Sequence, residues 1–475
     1  MIAYFRVIVF NMLNFSNKKP LLSIVLSAFW VSFVWGFWTR GTYALGINFA
    51  VYLIALILFF VSILKNEGRY QARDLGWIIP LLMLATSFAL YENPFFKVFC
   101  LIIIPLAFAV FYNFAWIDDK WRARWDFGFL NRITERAFSA FAYIIQSVRL
   151  LGGFINIGRG ERGNMAKRIG IGMIILFLAL IIIIPLLSSA DAEFATKLGS
   201  AYDLIKNILS TTAFAKLIVF ALLSIATLAV TLGWGRSHDA LEATEKKNFD
   251  PLISGIVLVG ILAFYLLFLW IQLDRLWVGA LPFDFKATES LVKSGFWQLL
   301  FLSFINLAIF FFLYRRTAPA VQKILTVFTG ASFLLLVSSA HRMILYVTYY
   351  GFSYEKFYAL YAMIFCAVLF VWLFSRLFIA ERANVLRFVA FQFLWMFALV
   401  ALFPVESFVL DKNIALSHRP DSRIELLELR MLSPSVLAQV KEYSRTGVLT
   451  GWEGWISDQE LRLAEKRWYE YTVGI

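Results

Sequence analysis

Charge is what this chain has least of. Asp, Glu, Lys and Arg make up 16% of its 475 residues, against roughly 25% in an ordinary soluble domain. The shortage is uneven, because charges gather in short stretches between long apolar runs. No Pro/Gly/Ser-rich linker divides residues 1–404, so a string of small soluble domains is excluded. Cysteine is nearly absent. Cys100 and Cys366 are the two present, both inside apolar runs, and they are expected to behave as small buried hydrophobes. Of the three histidines, His238, His341 and His418, none stands four residues from another His or Cys, so no metal site is expected. Neither GxSxG nor HExxH occurs, and no cofactor or catalytic residue is expected. The apolar runs are also almost free of acid, with Asp274 at the end of the seventh. That argues against a carboxylate-lined ion path and against a two-carboxylate hydrolase within the bilayer.

What is abundant is grease: 61% of residues are hydrophobic and 18% aromatic. A membrane crossing needs about 20 mainly apolar residues. Eleven runs qualify, at 20–38, 43–64, 75–91, 95–117, 169–189, 214–235, 251–273, 295–314, 320–340, 356–380 and 385–404. The third is short and carries Pro80, and Lys97 at the start of the fourth is expected to snorkel to the surface. A lone segment in lipid must satisfy its own backbone, so these runs are read as helices. The predicted fold is all-α: a polytopic transmembrane bundle of about eleven spans with a small carboxyl-terminal helical cap outside the membrane. The organisation read from the sequence is a four-helix membrane region over 1–117, a basic loop over 118–168, a seven-helix region over 169–404 and a tail over 405–475. Asn11, Asn14, Asn17, Lys18 and Lys19 precede the first run, which has no small-residue cleavage pattern and is expected to remain in the mature protein.

The net charge is +13, but its placement points to membrane orientation rather than to nucleic acid. Of the 44 Lys and Arg residues, 25 fall in alternate inter-run segments, ten of them in 118–168. The opposite loops share ten and the tail holds the remaining nine. The positive-inside rule then puts the amino terminus in the cytoplasm and the carboxyl terminus outside.

Within the basic loop, residues 131–150 place Ile133, Ala137, Phe141, Ile144, Ile145 and Val148 on one helical face. Arg132, Glu135, Arg136, Gln146 and Arg149 lie largely opposite. With Arg159, Arg162, Lys167 and Arg168 they form a surface suited to anionic lipid; packing against the end of the bundle explains the same pattern. Gly158–Gly163 spells GxGxxG, yet no strand precedes it and a membrane run follows, so it is read as a basic turn. Asn164 stands where a Walker A loop needs lysine. In the tail, Ser433-Pro434 is expected to start a helix, and Ser457 with Glu460 fits a capping box.

The polar residues that stand out lie past the ninth run. Arg342 and Tyr346 are one turn apart and share a helix face, with His341 beside them and Gln272 at the end of the seventh run. A guanidinium there suits a carboxylate, a phosphate or a lipid headgroup; equally, it can bind backbone carbonyls at a helix end. Interhelical hydrogen bonds are an equally good expectation for Gln272, and they are expected for Gln298, Asn306 and Gln392.

Three segments together carry a resemblance. The first runs from Gln272 through Leu276, Trp277 and Gly279 into Ser290–Asn306. The second is Arg342, Leu345, Tyr346, Tyr350 and Gly351. The third is Asn413 with Ile424–Leu437. On these the chain resembles an uncharacterised family of bacterial multi-pass membrane proteins, the domain of unknown function 4173 and its 4153 relative, over roughly residues 165–440. The chain departs from the family pattern at Ser435, where the family has aspartate. The resemblance implies a bacterial cytoplasmic membrane location and carries no activity. Three functions remain: a non-enzymatic envelope component that senses or scaffolds a protein partner; a carrier or binder of a lipid or anionic small molecule using Arg342, Tyr346, His341 and Gln272; and an intramembrane transferase on a lipid-linked substrate. Membrane lipids are expected partners in each case.

Overall fold

In the computed structural model the described residues are 19–116, 134–135, 138–154, 212–234, 249–276, 285–314, 316–378 and 384–473. Every regular element among them is a helix. Seven of these helices are long and apolar enough to cross a membrane, or up to nine if each of two bent pairs counts as one span. Ten of the eleven apolar runs fall on described helices. The run 169–189 lies outside the described residues, as do Arg132, Arg136, Arg159, Arg162, Lys167 and Arg168. The protein is a helical, multi-pass membrane protein.

The chain divides into two compact units. The described parts of the first are 19–75, 108–116, 134–135, 138–154 and 212–234. Its first helix, Lys19–Phe29, runs through a π turn at Trp30–Val34 and bends by 43° into Phe37–Ala44. Asn48, 3% exposed, secures the bend. Its amide donates to the carbonyls of Phe33 at 2.7 Å and Ala44 at 3.0 Å, and its oxygen accepts from the N–H of Gly46 at 2.8 Å. In lipid such freed backbone groups find no water, so a side chain must take them. The helix Ile144–Phe154 and the residues before it pack on Thr212–Trp234, with Ala140 so close to Gly233 that a Cβ there would sit 2.7 Å away. Phe138, Phe141 and Ile145 stay more than half exposed, and Arg149 is exposed as well.

The second unit contains residues 76–107 and the described residues from 249 onward. Its longest helix, Pro319–Tyr350, has 32 residues. At 1.5 Å per residue that is about 48 Å, beyond the roughly 30 Å of hydrocarbon, and so the helix continues ten residues past its apolar run. Pro319 at the first helical turn starts it. It packs against Pro251–Leu276, Phe285–Leu313 and Tyr354–Phe378. One part of the core gathers Tyr265, Phe310, Leu325, Phe328 and Leu369, the other Leu336, Met343, Tyr346, Met363 and Cys366. Two of the expected interhelical bonds are present, while the side chain of Gln298 is exposed. Tyr265 donates to Asn306 at 2.5 Å, and Gln392 donates to the carbonyl of Phe365 at 2.8 Å.

Past Ala401 the chain bends by 66° at Leu402–Pro404 into the helix Val405–Ser417. The tail then forms helices at Leu437–Arg445 and Glu453–Ala464 with short 3-10 turns. Trp452 is fully buried and meets the ring of Trp455 edge-on, and the Trp455 indole donates to the carbonyl of Arg430 at 2.8 Å. Tyr443 donates to Asp411 at 2.9 Å, which pushes its phenol above the ordinary value and ties two tail helices together. Ser433 caps a turn with Pro434 at its first position, as expected. Ser457 does not cap a helix: Glu453–Ala464 begins four residues earlier, after Trp452, and runs straight through it. The local pattern loses because burying Trp452 and Trp455 sets where this helix starts.

Candidate functional site

The helices Leu75–Leu90 and Pro94–Trp116 are joined by the short turn Tyr91–Glu92–Asn93. Asn93 is the N-cap of the second helix, its oxygen accepting from the N–H of Phe96 at 3.0 Å, and Pro94 follows at the first helical position. Lys97 sits one turn in. Side chains on a helix lean toward its amino terminus, so Lys97 reaches back to Glu92 rather than out to the surface. It is 3% exposed and its ammonium lies 3.3 Å from Glu92 Oε2. The expectation that Lys97 snorkels is therefore corrected: a carboxylate five residues earlier gives it a buried partner.

Glu92 itself is fully buried, and its other oxygen, Oε1, is 2.7 Å from Lys466 of the tail. That side chain is 5% exposed. The Lys97 contact is also a hydrogen bond, while the Lys466 contact is an ion pair aligned outside hydrogen-bond geometry. Burying an ion is costly unless it is paired, and removing one partner of a buried pair costs about 3–5 kcal/mol. Here one carboxylate serves two lysines, and the second negative charge is Glu406.

Glu406 stands in the first turn of Val405–Ser417, where the helix dipole favours an anion. It is 4% exposed. Tyr354 donates to one of its oxygens and Ser433 to the other. The Ser433 and Ser435 hydroxyls are 3.1 Å apart, and Ser435 accepts from the Glu92 N–H at 2.7 Å. An ionised carboxylate only accepts, and each hydroxyl has one proton. Ser433 gives its proton to Glu406, which leaves Ser435 to donate to Ser433. A hydrogen-bonded chain thus runs from the Glu92 backbone through two serines to the Glu406 carboxylate.

Lys97 and Glu406 line one cavity together with Tyr91, Asn93, Tyr358 and Ser435. Its volume is about 30 Å³. A water needs roughly 10–15 Å³ by this measure, so the cavity has room for about two, and it lies far below the roughly 300–1,000 Å³ of small-molecule sites. The arrangement stores buried charge and does not offer a chamber for a headgroup. Among the described residues no three His, Cys, Asp or Glu side chains converge on a point that could hold a metal.

The residues singled out from the sequence lie elsewhere in the same unit. His341 and Arg342 are half-buried on Pro319–Tyr350, and Tyr346 is 3% exposed, inside the core cluster. Lys356 covers the Tyr346 ring at 4.5 Å and donates to the carbonyls of Tyr350 at 3.0 Å and Gly351 at 2.8 Å, taking the helix-end role that the sequence suggested for an arginine. Gln272 belongs to the helix Pro251–Leu276, and its side chain lies outside the described residues. The second and third resembling segments do meet. Gly351, at φ +70°, lies against Asn413, whose amide brackets the peptide of Phe352.

The chain matches the model of the Domain of unknown function (DUF4153) over residues 78–443. It belongs to that family. No curated protein and no solved structure matches it. The DUF4153 region reaches further toward the amino terminus than the resembling segments, starting within Leu75–Leu90 and ending within Leu437–Arg445. It therefore contains Glu92, Lys97, Tyr354, Glu406, Ser433 and Ser435, and stops before Lys466. Reading along the sequence missed this site. Two signals were available: Asn93-Pro94 as a helix start beside Glu92, and Glu406 two residues after Pro404. Ser435, where the resembling pattern has aspartate, falls in the cavity wall.

Proposed function

We propose that this protein is a non-catalytic component of a bacterial cytoplasmic membrane, one that senses or scaffolds an envelope partner through its extracytoplasmic tail. The observation that carries this reading is the buried tie between tail and membrane helices: Lys466 on Glu92, and Ser433 on Glu406. These charges neutralise one another around a cavity of about 30 Å³ instead of facing a substrate-sized chamber. A tail held in this way presents a fixed surface, as a docking component requires. The positive-inside count supports an outward tail, and the basic loop with Arg149 suits the inner leaflet.

Affinity purification of the full chain after crosslinking in intact cells tests the proposal. A stoichiometric partner, crosslinked to residues of 405–475, is the expected result. A monodisperse lone protein that exchanges lipid between vesicles overturns it.

A second reading, a binder of an anionic headgroup, is favoured by Arg342 standing half-buried one turn from Tyr346. It requires that Arg342→Ala lose phosphatidylglycerol retained through purification, at unchanged thermal stability. Equal lipid retention by the variant defeats it. The transferase reading has no supporting contact among the described residues.

A further inference from the structure

Two lysines share Glu92, but they are not equivalent. Lys97 is fixed in the first turn of a membrane helix. Lys466 lies on the strap 465–473 that follows Glu453–Ala464, and this strap returns to the end of the helix Leu75–Leu90, where the Val473 N–H donates to the Ala89 carbonyl at 2.7 Å. That bond takes one of the carbonyls left free at a helix end. If the strap leaves, Glu92 keeps Lys97, so no buried carboxylate is stranded.

The cluster is charge-balanced only while Glu406 is ionised. Glu92 and Glu406 are then negative, and Lys97 and Lys466 positive. The other titratable groups that face Glu406 and Lys97 are the phenols of Tyr91, Tyr354 and Tyr358 and the Cys100 thiol, all neutral near pH 7. Protonating Glu406 leaves two buried cations on one anion. In a water-poor site that excess charge is expensive, and Lys466 is the cation whose backbone can move into water.

We propose that the strap 465–473 is a proton-released latch, seated by the Val473 bond to Ala89 with Lys466 on Glu92, and held shut while the negative charge of Glu406 balances Lys466. Protonation of the Glu406 carboxylate expels Lys466, frees Val473 from Ala89 and opens the cavity between Lys97 and Glu406 to water. The catch is built from residues inside the DUF4153 region, and the moving part from residues beyond it. The latch needs no partner, so its failure and the failure of the docking role are separable.

Hydrogen exchange of the peptides covering 465–475, in the full chain in lipid nanodiscs, tests the latch, with rates corrected for intrinsic pH dependence. Wild type should protect this segment at about pH 8 and lose about tenfold of that protection at about pH 5. Glu406→Gln should be unprotected at both. Adding Lys466→Met to Glu406→Gln restores neutrality and should restore protection, which a merely damaged site would not do. Lys466→Met alone, which leaves every bond of Glu406 in place, should abolish the pH dependence. Equal protection of wild type at both pH values, a pH response that survives Lys466→Met, or a double variant as exposed as Glu406→Gln overturns the proposal. Unchanged exchange in 319–350 reports that the fold is intact.

Discussion

The side-chain amide of Asn413 closes on the peptide of Phe352 from both sides, accepting from its N–H at 2.6 Å and donating to its carbonyl at 2.9 Å. This two-point clamp joins the end of the longest membrane helix to the helix that opens the tail. It also explains Gly351. The backbone there has φ +70°, and a Cβ would lie 2.2 Å from the Asn413 oxygen.

Gly351→Ala should accordingly destabilise more than Asn413→Ala. The first meets both the left-handed backbone and the clash, while the second loses two hydrogen bonds and strands a buried peptide, about 1–3 kcal/mol. Thermal unfolding of the detergent-solubilised protein, followed by tryptophan fluorescence, ranks them. The reverse order would mean that the clamp contributes more than the turn.

Glu92→Gln should cost about 3–5 kcal/mol, because it leaves two lysine side chains buried without an anion between them. Lys466→Met should cost much less, since Glu92 retains Lys97 at 3.3 Å. Denaturant unfolding in mixed micelles measures both. Equal losses would mean that Lys97 does not neutralise Glu92 by itself.

Ser433→Ala removes a hydroxyl donor from a buried carboxylate, a bond to a charged group worth about 1.5–3 kcal/mol. Ser435→Asp installs the acid that the resembling family pattern carries, beside a cluster already balanced by Glu92 and Glu406. It should destabilise at neutral pH and recover partly in acid, where one carboxyl protonates. A melting-temperature series across pH compares them; an Asp variant unaffected by pH would refute the charge balance.

In the first unit, Asn48→Leu should disrupt the bend at Trp30–Val34. The carbonyls of Phe33 and Ala44 and the N–H of Gly46 all lose their partner, at about 1–3 kcal/mol for each buried group left unsatisfied. Cysteine-accessibility labelling along 29–46 should rise, and unchanged labelling would show that the helices hold the bend alone.

The membrane class, the helical content and the approximate spans were legible from residues 20–404, because crossing lipid forces about 20 apolar residues into each run and permits no alternative but helix. Asn306, Gln392 and the Ser433 cap could likewise be anticipated from local chemistry. The charged site could not. The pair Glu92 and Lys97 is far along the chain from Glu406 and Lys466, and each of the four taken singly reads as an ordinary polar residue, the first three at the edges of apolar runs and the last in the tail. Lys97 looks like a snorkelling lysine until Glu92 and the tail close over it. Ion pairing acts through space across a few ångströms, whereas hydropathy is written into every consecutive residue. For that reason the sequence by itself determined that helices cross a bilayer, and only the tertiary structure decided which buried charges meet at their ends.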